Sequence, residues 1–282
     1  MAFGFFERSR CKGAPVTLYR FQYGVENTHI YTMTDADESV SYGGNEYQPV
    51  PIQKSKTSSN GTLDNSTLEI TTTRDNPVAL LFRAYPPSYP ITLTVFSGHH
   101  GDPDSEFIAE WTGLVLGCSL EEEQAVLNAE PFSVQRKRTT LRTHYQYGCP
   151  HVLYQKGPGL CNADKDRATF ESLVLAVDGA VVTFPVNWRD ENRIPWFNNG
   201  LIEWTRPDGQ REARTILRID DNRKLLLSGL PIGLSPGDTV SVSYGCPHNM
   251  DGCATIHDNI LNYGGCPNIP SVNPLGTNNI FY

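Results

Sequence analysis

The chain has 282 residues, with 31 acidic against 23 basic side chains and a formal charge of −8. That balance excludes a broad basic surface built to neutralise duplex phosphates, so sequence-specific nucleic-acid binding is not expected. The length suits about two domains, and 24 Gly with 20 Pro call for many turns and short strands.

Residues 1–6 are apolar, but Glu7, Arg8 and Arg10 follow at once, and a secretory signal needs a longer apolar core behind its basic start. No stretch approaches the ~20 apolar residues of a membrane helix, so no membrane span is expected. The chain is therefore expected to fold in a reducing cytosol. There, clustered cysteines bind metal or do chemistry more often than they form disulfides. Seven cysteines, an odd number, also argue against a complete disulfide framework.

Residues 15–130 read as β. Strand-like alternation recurs over 16–21, 29–33, 67–71, 91–96, 107–116 and 125–129, with Leu68 and Ile70 on one face of their segment and Ile91, Leu93 and Val95 on one face of theirs. Segment 41–47 folds about Gly43-Gly44-Asn45 as a hairpin. One helix is predicted over 77–84, capped by Asn76 with Pro77 in its first turn. Many short strands of this kind suggest a barrel or sandwich.

Residues 131–163 carry a first cysteine pair behind Arg136-Lys137-Arg138. These three, with Arg142, are expected to face solvent or pair with acids rather than hold phosphate. Strand patterns resume over 165–240. Segments 173–177 and 180–184 flank Asp178-Gly179, 200–204 and 211–216 flank Pro207-Asp208-Gly209, and 224–228 and 239–242 follow. Trp188, Trp196 and Trp204 fall within this stretch and are expected in its core or at an interface rather than on a stacking surface. A short helical piece is predicted over 254–262, before a Gly/Pro/Asn-rich tail. Three regions result: 1–134, an inserted β unit over 164–243, and a cysteine-rich region made of 135–163 plus 244–282.

The most specific signal is a repeat. Tyr147-Gly148-Cys149-Pro150-His151 returns unchanged as Tyr244-Gly245-Cys246-Pro247-His248, and Cys161 and Cys253 follow the two copies. Two pairs about a hundred residues apart read as one site built from two segments, so the ends of the inserted unit must lie close together. The spacings, Cys149-x11-Cys161 and Cys246-x6-Cys253, are looser than zinc-ribbon knuckles. An iron–sulfur cluster tolerates such spacing, although zinc stays open. Gly148, Gly245 and Gly252 precede three of these cysteines and could free backbone N–H groups for sulfur. Pro150 and Pro247 fix the exit of the chain. His151 and His248 read as supporting groups rather than ligands. Cys11 and Cys118 read as small buried apolar residues, and Cys266 as a spare ligand or a packing neighbour. No metalloprotease, nucleophile-elbow, phosphate-loop or dinucleotide motif occurs, so an enzyme is not expected.

Cys246-x6-Cys253, followed by Asn262-Tyr263-Gly264-Gly265-Cys266-Pro267, resembles the C-terminal region of phage tail-tip hub proteins. That family includes tail-tip protein L of lambda-like siphophages and the hub of gene transfer agents. In it, a C-x6-C pair precedes an aromatic-Gly-Gly-Phe-Pro run, and an upstream pair separated by a β insert supplies two more ligands. Cys149 and Cys161, the latter within Cys161-Asn162-Ala163-Asp164, match the upstream pair, while Cys266 stands where the family has Phe. Leu18-Tyr19-Arg20-Phe21 through Tyr42-Gly43-Gly44-Asn45-Glu46-Tyr47 is similar to the family's N-terminal hub domain.

The resemblance implies a mainly β fold with an N-terminal hub β-barrel-type domain, a small inserted β-barrel domain and an irregular cysteine-rich C-terminal region. It implies a [4Fe-4S] cluster on Cys149, Cys161, Cys246 and Cys253, and a structural role in the virion. The chain would be a homotrimeric hub at the tail tip, assembled in the bacterial host cytoplasm. It would link the tail tube and distal tail ring to the central tip or fibre, beside the tape measure. The alternatives are a zinc-stabilised receptor- or carbohydrate-binding module and a tail-associated Cys/His hydrolase.

Overall fold

The computed structural model describes residues 3–9, 13–24, 28–56, 67–135 and 144–269. The chain divides into two compact units, residues 1–138 and 139–282, and both are mainly β.

The first unit contains α1 (Phe3–Arg8), β1 (Pro15–Tyr23), β2 (His29–Thr34), β3 (Val40–Tyr42), β4 (Asn45–Pro49), β5 (Ile52–Lys54), β6 (Leu68–Thr73), α2 (Pro77–Leu81), β7 (Ile91–His99), β8 (Ile108–Leu120), β9 (Gln124–Pro131) and α3 (Phe132–Gln135). The strands form one sheet in the order β3-β4-β2-β1-β7-β8-β9-β6-β5. Alternation places Tyr19, Phe21 and Tyr23 of β1 on the same core face as Ile70, Leu93 and Leu127. Val16 and Leu18 face the other way and are covered by Tyr47 and Phe96. The expected hairpin is present, with Gly43 and Gly44 at φ +58° and +79°, angles a side chain would oppose. The expected helix starts as predicted, with Asn76 Oδ1 accepting from the Val78 N–H at 2.9 Å, but it stops at Leu81.

Hydrogen bonds do not close this sheet into the expected barrel, since the end strands β3 and β5 do not pair among the described residues. Covalent continuity bends it instead. β4 and β5 lie near opposite ends of the sheet, yet only Val50 and Pro51 separate them. Two linking residues span about 11 Å at most, so the sheet curls until its ends approach. Pro51 has no N–H to offer a ladder, and pairing is interrupted where it sits. Met33, from β2, and Ile52, from β5, accordingly share one core.

The second unit repeats the device. It contains α4 (Lys165–Ala168), β10 (Thr169–Leu173), β11 (Ala176–Asp178), β12 (Val181–Thr183), a 3₁₀ segment (Glu191–Phe197), β13 (Leu201–Thr205), β14 (Arg211–Asp220), β15 (Lys224–Leu227), β16 (Thr239–Ser243), α5 (Met250–Thr255) and a second 3₁₀ turn (Ile260–Asn262). The order is β10-β16-β13-β14-β15-β12-β11. Its two edge strands are consecutive in the chain and joined by Val174 and Leu175 alone. The Val174 N–H donates to Asp238 O at 2.9 Å and the Leu175 N–H to Thr183 O at 2.8 Å, fastening the join to the neighbours of both edges.

Phe184, Phe197, Ile202, Leu225 and Val242 fill the interior. The three tryptophans pack there as expected. Trp188 stacks on Phe184 with 4.7 Å between centroids, Trp196 meets the ring of Tyr244 edge-on at 5.3 Å, and Trp204 donates its indole N–H to Ile232 O at 3.0 Å. The helix predicted over 254–262 is displaced. Asn249 Oδ1 caps the Gly252 N–H at 2.7 Å, so α5 begins at Met250 and carries Cys253 within it.

β10 opens this sheet unit and β16 closes it, and the two pair with Thr169 opposite Ser243. The Thr169 and Ser243 hydroxyls lie 2.8 Å apart, and the Tyr244 N–H donates to Ala168 O at 3.0 Å. The inserted unit therefore enters and leaves at one place, as two converging cysteine segments require.

Candidate metal centre

Cys161 lies at the end of a tight loop that Asn162 holds. The Asn162 side chain accepts from the Gly157 N–H at 2.8 Å and donates to Gly157 O at 2.8 Å and Leu160 O at 3.1 Å. Its backbone is left-handed, at φ +54°, a region that Asn tolerates better than most residues. Asn162→Ala is expected to cost about 2–4 kcal/mol, since it removes these bonds and leaves the strain. Asn162→Gly should cost less because the backbone is relieved. Urea unfolding of the two variants checks the order.

The two copies of the repeat meet. The Cys149 N–H donates to His248 O at 2.8 Å, and His248 Nδ1 lies 3.0 Å from Cys149 O. A carbonyl only accepts, so Nδ1 is the donor. The copies are nonetheless unequal, for Tyr244 is 4% exposed and Tyr147 65%. A third segment binds the first copy. The Gly264 N–H points at Cys149 Sγ from 3.4 Å, the Cys266 N–H donates to Gln146 O at 2.9 Å, and the Tyr263 hydroxyl to Tyr147 O at 2.9 Å.

Asn259 joins the other two cysteines. Its N–H donates to Cys253 O at 3.0 Å, and its carbonyl accepts from the Cys253 thiol at 3.2 Å. Its amide nitrogen donates to Cys161 O at 2.5 Å and lies 3.9 Å from Cys161 Sγ. The structure thus brings Cys149, Cys161, Cys246 and Cys253 into one neighbourhood.

Electrostatics tie the four sulfurs into one group. Burial raises the Cys246 thiol above its usual range, and the sulfurs of Cys161 and Cys149 raise it further. Burial pushes Cys253 up to about 11, helped by Cys246, Cys149 and Cys161. Thiolates gathered this way repel one another unless a cation is present, so without metal Cys246 and Cys253 hold their protons more tightly. No group of three or more His, Cys, Asp or Glu side chains among the described residues is drawn around a point that one metal ion would fill. The described cysteines are free thiols.

The glycines do something other than expected. The N–H groups aimed at sulfur belong to His248, 3.4 Å from Cys246 Sγ, and to Gly264. Gly245 and Gly252 instead permit close packing. A Cβ on Gly245 would stand 1.9 Å from Asn198 O, and one on Gly252 2.3 Å from the Pro247 ring. His151 packs under Gly264, where a Cβ would come within 2.4 Å of its ring. Cys118 packs against the core of the first unit. Cys266 is half-buried beside the site. Cys11, Arg136, Lys137, Arg138 and Arg142 lie outside the described residues.

His257 supports the segment that carries Cys246. Its Nε2 donates to Gly245 O at 3.0 Å, and burial lowers its pKa below the ordinary 6.5. The unfolded chain therefore takes up a proton that the folded chain refuses. Stability should be full above pH 6.5 and decline below it, until the folded ring also protonates. His257→Gln should flatten this acid limb in denaturation midpoints compared between neutral pH and about pH 5.

The model of a family described as phage conserved hypothetical protein BR0599 matches residues 195–273, which include Cys246, Cys253 and Cys266. No curated protein sequence matches. Among solved structures, the chain is similar to one from the virion of a native gene transfer agent particle. The TM-score is 0.73 at 19% identity, covering 100% of this chain and 99% of that one. At that identity the likeness is one of fold, and it extends through both units.

Proposed function

We propose that this chain is a structural, non-enzymatic protein of a phage-type virion, a tail-tip hub whose second unit is held by a [4Fe-4S] cluster on Cys149, Cys161, Cys246 and Cys253. The observation that carries this reading is the meeting of four thiols from two segments about a hundred residues apart. The phage family matched over residues 195–273 and the full-length likeness to a chain of a gene transfer agent virion support the setting.

The donor set fits such a centre. Four partly or fully buried sulfurs lie near enough to influence one another, and two backbone N–H groups already point at them, as a cluster with net negative charge requires. When bound, the cluster supplies a cross-link that persists in a reducing compartment, where a disulfide would not. The chain's own residues do the positioning. Asn259 ties the Cys161 loop to α5, Asn162 fixes that loop, and His248 clasps the two repeats. Binding must displace the thiol protons, so loading strengthens as pH rises.

In this reading the chain forms a homotrimer between the tail tube with its distal ring and the central tip or fibre, with the tape measure as a neighbour. Antibody labelling of intact particles, with native mass measurement of the purified chain, tests the placement. Label confined to the tail end and a trimer are expected. Label on the capsid or along the tube would count against it.

A further inference from the structure

Each copy of the repeat is gripped by a phenol from the segment that follows the other copy. The Tyr154 hydroxyl, three residues past the first copy, donates to Tyr244 O in the second at 2.5 Å. The Tyr263 hydroxyl, from the segment after the second copy, donates to Tyr147 O in the first at 2.9 Å. Tyr147 and Tyr244 occupy the same position of the two motifs, two residues before a cysteine. The exchange is therefore reciprocal, with the same carbonyl held in each copy. Neither bond involves sulfur, so neither needs a metal to form.

Tyr154 is held in an unfavourable backbone conformation. The Gln155 N–H donates to Val152 O at 3.2 Å, which makes Tyr154 the third residue of a tight turn, and its φ is +64°. Gly or Asn is the usual choice at such a position. The other non-glycine residues at positive φ are all Asn, Asp, Ser or His. A bulky ring in that region persists only where its surroundings fix it. Here the ring packs against the core of the second unit and meets His257 edge-on, with 5.7 Å between centroids. His257 in turn donates Nε2 to Gly245 O at 3.0 Å. The Tyr244 N–H is on Ala168 O and the Gly245 N–H on Trp196 O, so all four backbone polar groups just before Cys246 are bonded. Tyr154 lies between Cys149 and Cys161 in the chain, and His257 follows Cys253. One ring contact thus gathers the three segments that carry the four cysteines. Burial raises the Tyr154 phenol above its ordinary range, and the nearby Cys246 and Cys161 sulfurs raise it further, so it remains a donor.

We propose that Tyr154 and Tyr263 are reciprocal positioning latches that assemble the cysteine site before metal enters, so that the metal-free chain already holds its four thiols in register. The inference rests on the reading of those cysteines as one centre. Each phenol acts through the backbone it grips and not as a ligand. A site formed in advance spends less on ordering its ligands when it loads.

Differential alkylation of the full chain, stripped of metal under reducing conditions, tests this with Tyr154→Phe, Tyr263→Phe and the double variant. Phe keeps each ring and removes only the hydroxyl. Iodoacetamide labelling of each cysteine is read by mass spectrometry. At Cys149, Cys161, Cys246 and Cys253 it should quicken about threefold or more in each single variant and about tenfold or more in the double variant. Cys118, in the first unit, should be unchanged. Reloading with ferrous iron and sulfide should slow in the same order. The visible circular dichroism of the loaded variants should change in band shape, which a merely less stable scaffold would not cause. Equal labelling of wild type and double variant would overturn the proposal. So would faster labelling that only follows a lower unfolding midpoint of the second unit, with the band shape unchanged. A wild type whose cysteines the latches protect, but which takes up no iron, would remove the cluster and leave the latches. A wild type that loads iron, with the double variant equally protected, would do the reverse.

Discussion

Cys246→Ser and Cys253→Ser are each expected to abolish iron retention and to destabilise the second unit by several kcal/mol. The scale follows from the cross-linking role proposed for the centre, since removing a native disulfide from a small domain costs about 2–5 kcal/mol. Cys253 also sits within α5, where its thiol and backbone both bond Asn259. Losing its sulfur therefore loosens the contact from Asn259 to the Cys161 loop as well. Cys118→Ser is the control. It lies on β8 against the first unit's core, and should leave iron unchanged and cost no more than about 1–2 kcal/mol. Tryptophan fluorescence during urea unfolding separates the units, because Trp188, Trp196 and Trp204 report on the second and Trp111 on the first.

Gly245→Ala should be nearly as damaging although it removes no sulfur. An added Cβ would stand 1.9 Å from Asn198 O and 2.5 Å from Gly200 N. Those are backbone atoms that cannot rotate away. The Gly245 N–H also donates to Trp196 O at 2.8 Å, and a Cβ on Gly200 would stand 2.2 Å from Ser243 O. Two backbones thus run in contact just before Cys246. Separating them enough for one methyl should cost about 3 kcal/mol or more and displace Cys246, so iron falls together with stability. Gly117→Ala, where an added Cβ meets nothing within 4 Å, should be tolerated. Loss of iron in the first variant but not the second would show that retention depends on loop geometry and not only on the number of thiols.

The strands with alternating β-branched residues, such as Ile91-Thr92-Leu93-Thr94-Val95, were legible because one period decides which face is buried. The meeting of the two cysteine segments was legible because their motif is written twice, with a second thiol after each copy. Other features depend on contacts that a linear reading does not contain. The curl at Val50-Pro51 and at Val174-Leu175 emerges only when the strand order is known. β10 was missed because Thr169-Phe170-Glu171-Ser172-Leu173 has little alternation of its own, and its pairing with β16 overrides propensity. Asn249 gave a signal for the start of α5 that the helix pattern after Cys253 obscured. Gly264 reaches Cys149 through its backbone N–H, and Asn259 reaches Cys253 through its backbone and Cys161 through its side-chain amide, contacts that no sequence motif marks. Identical sequence also hid unequal surroundings, since Tyr244 is buried and Tyr147 exposed.

Quantitative iron and acid-labile sulfide analysis of the chain, purified without oxygen after expression with both iron and zinc available, tests the central claim most directly. The account predicts about four iron and four sulfide per chain, as the cluster formula requires, with a brown visible absorbance lost on oxidation. A folded, colourless protein that carries one zinc, or no metal, would contradict it.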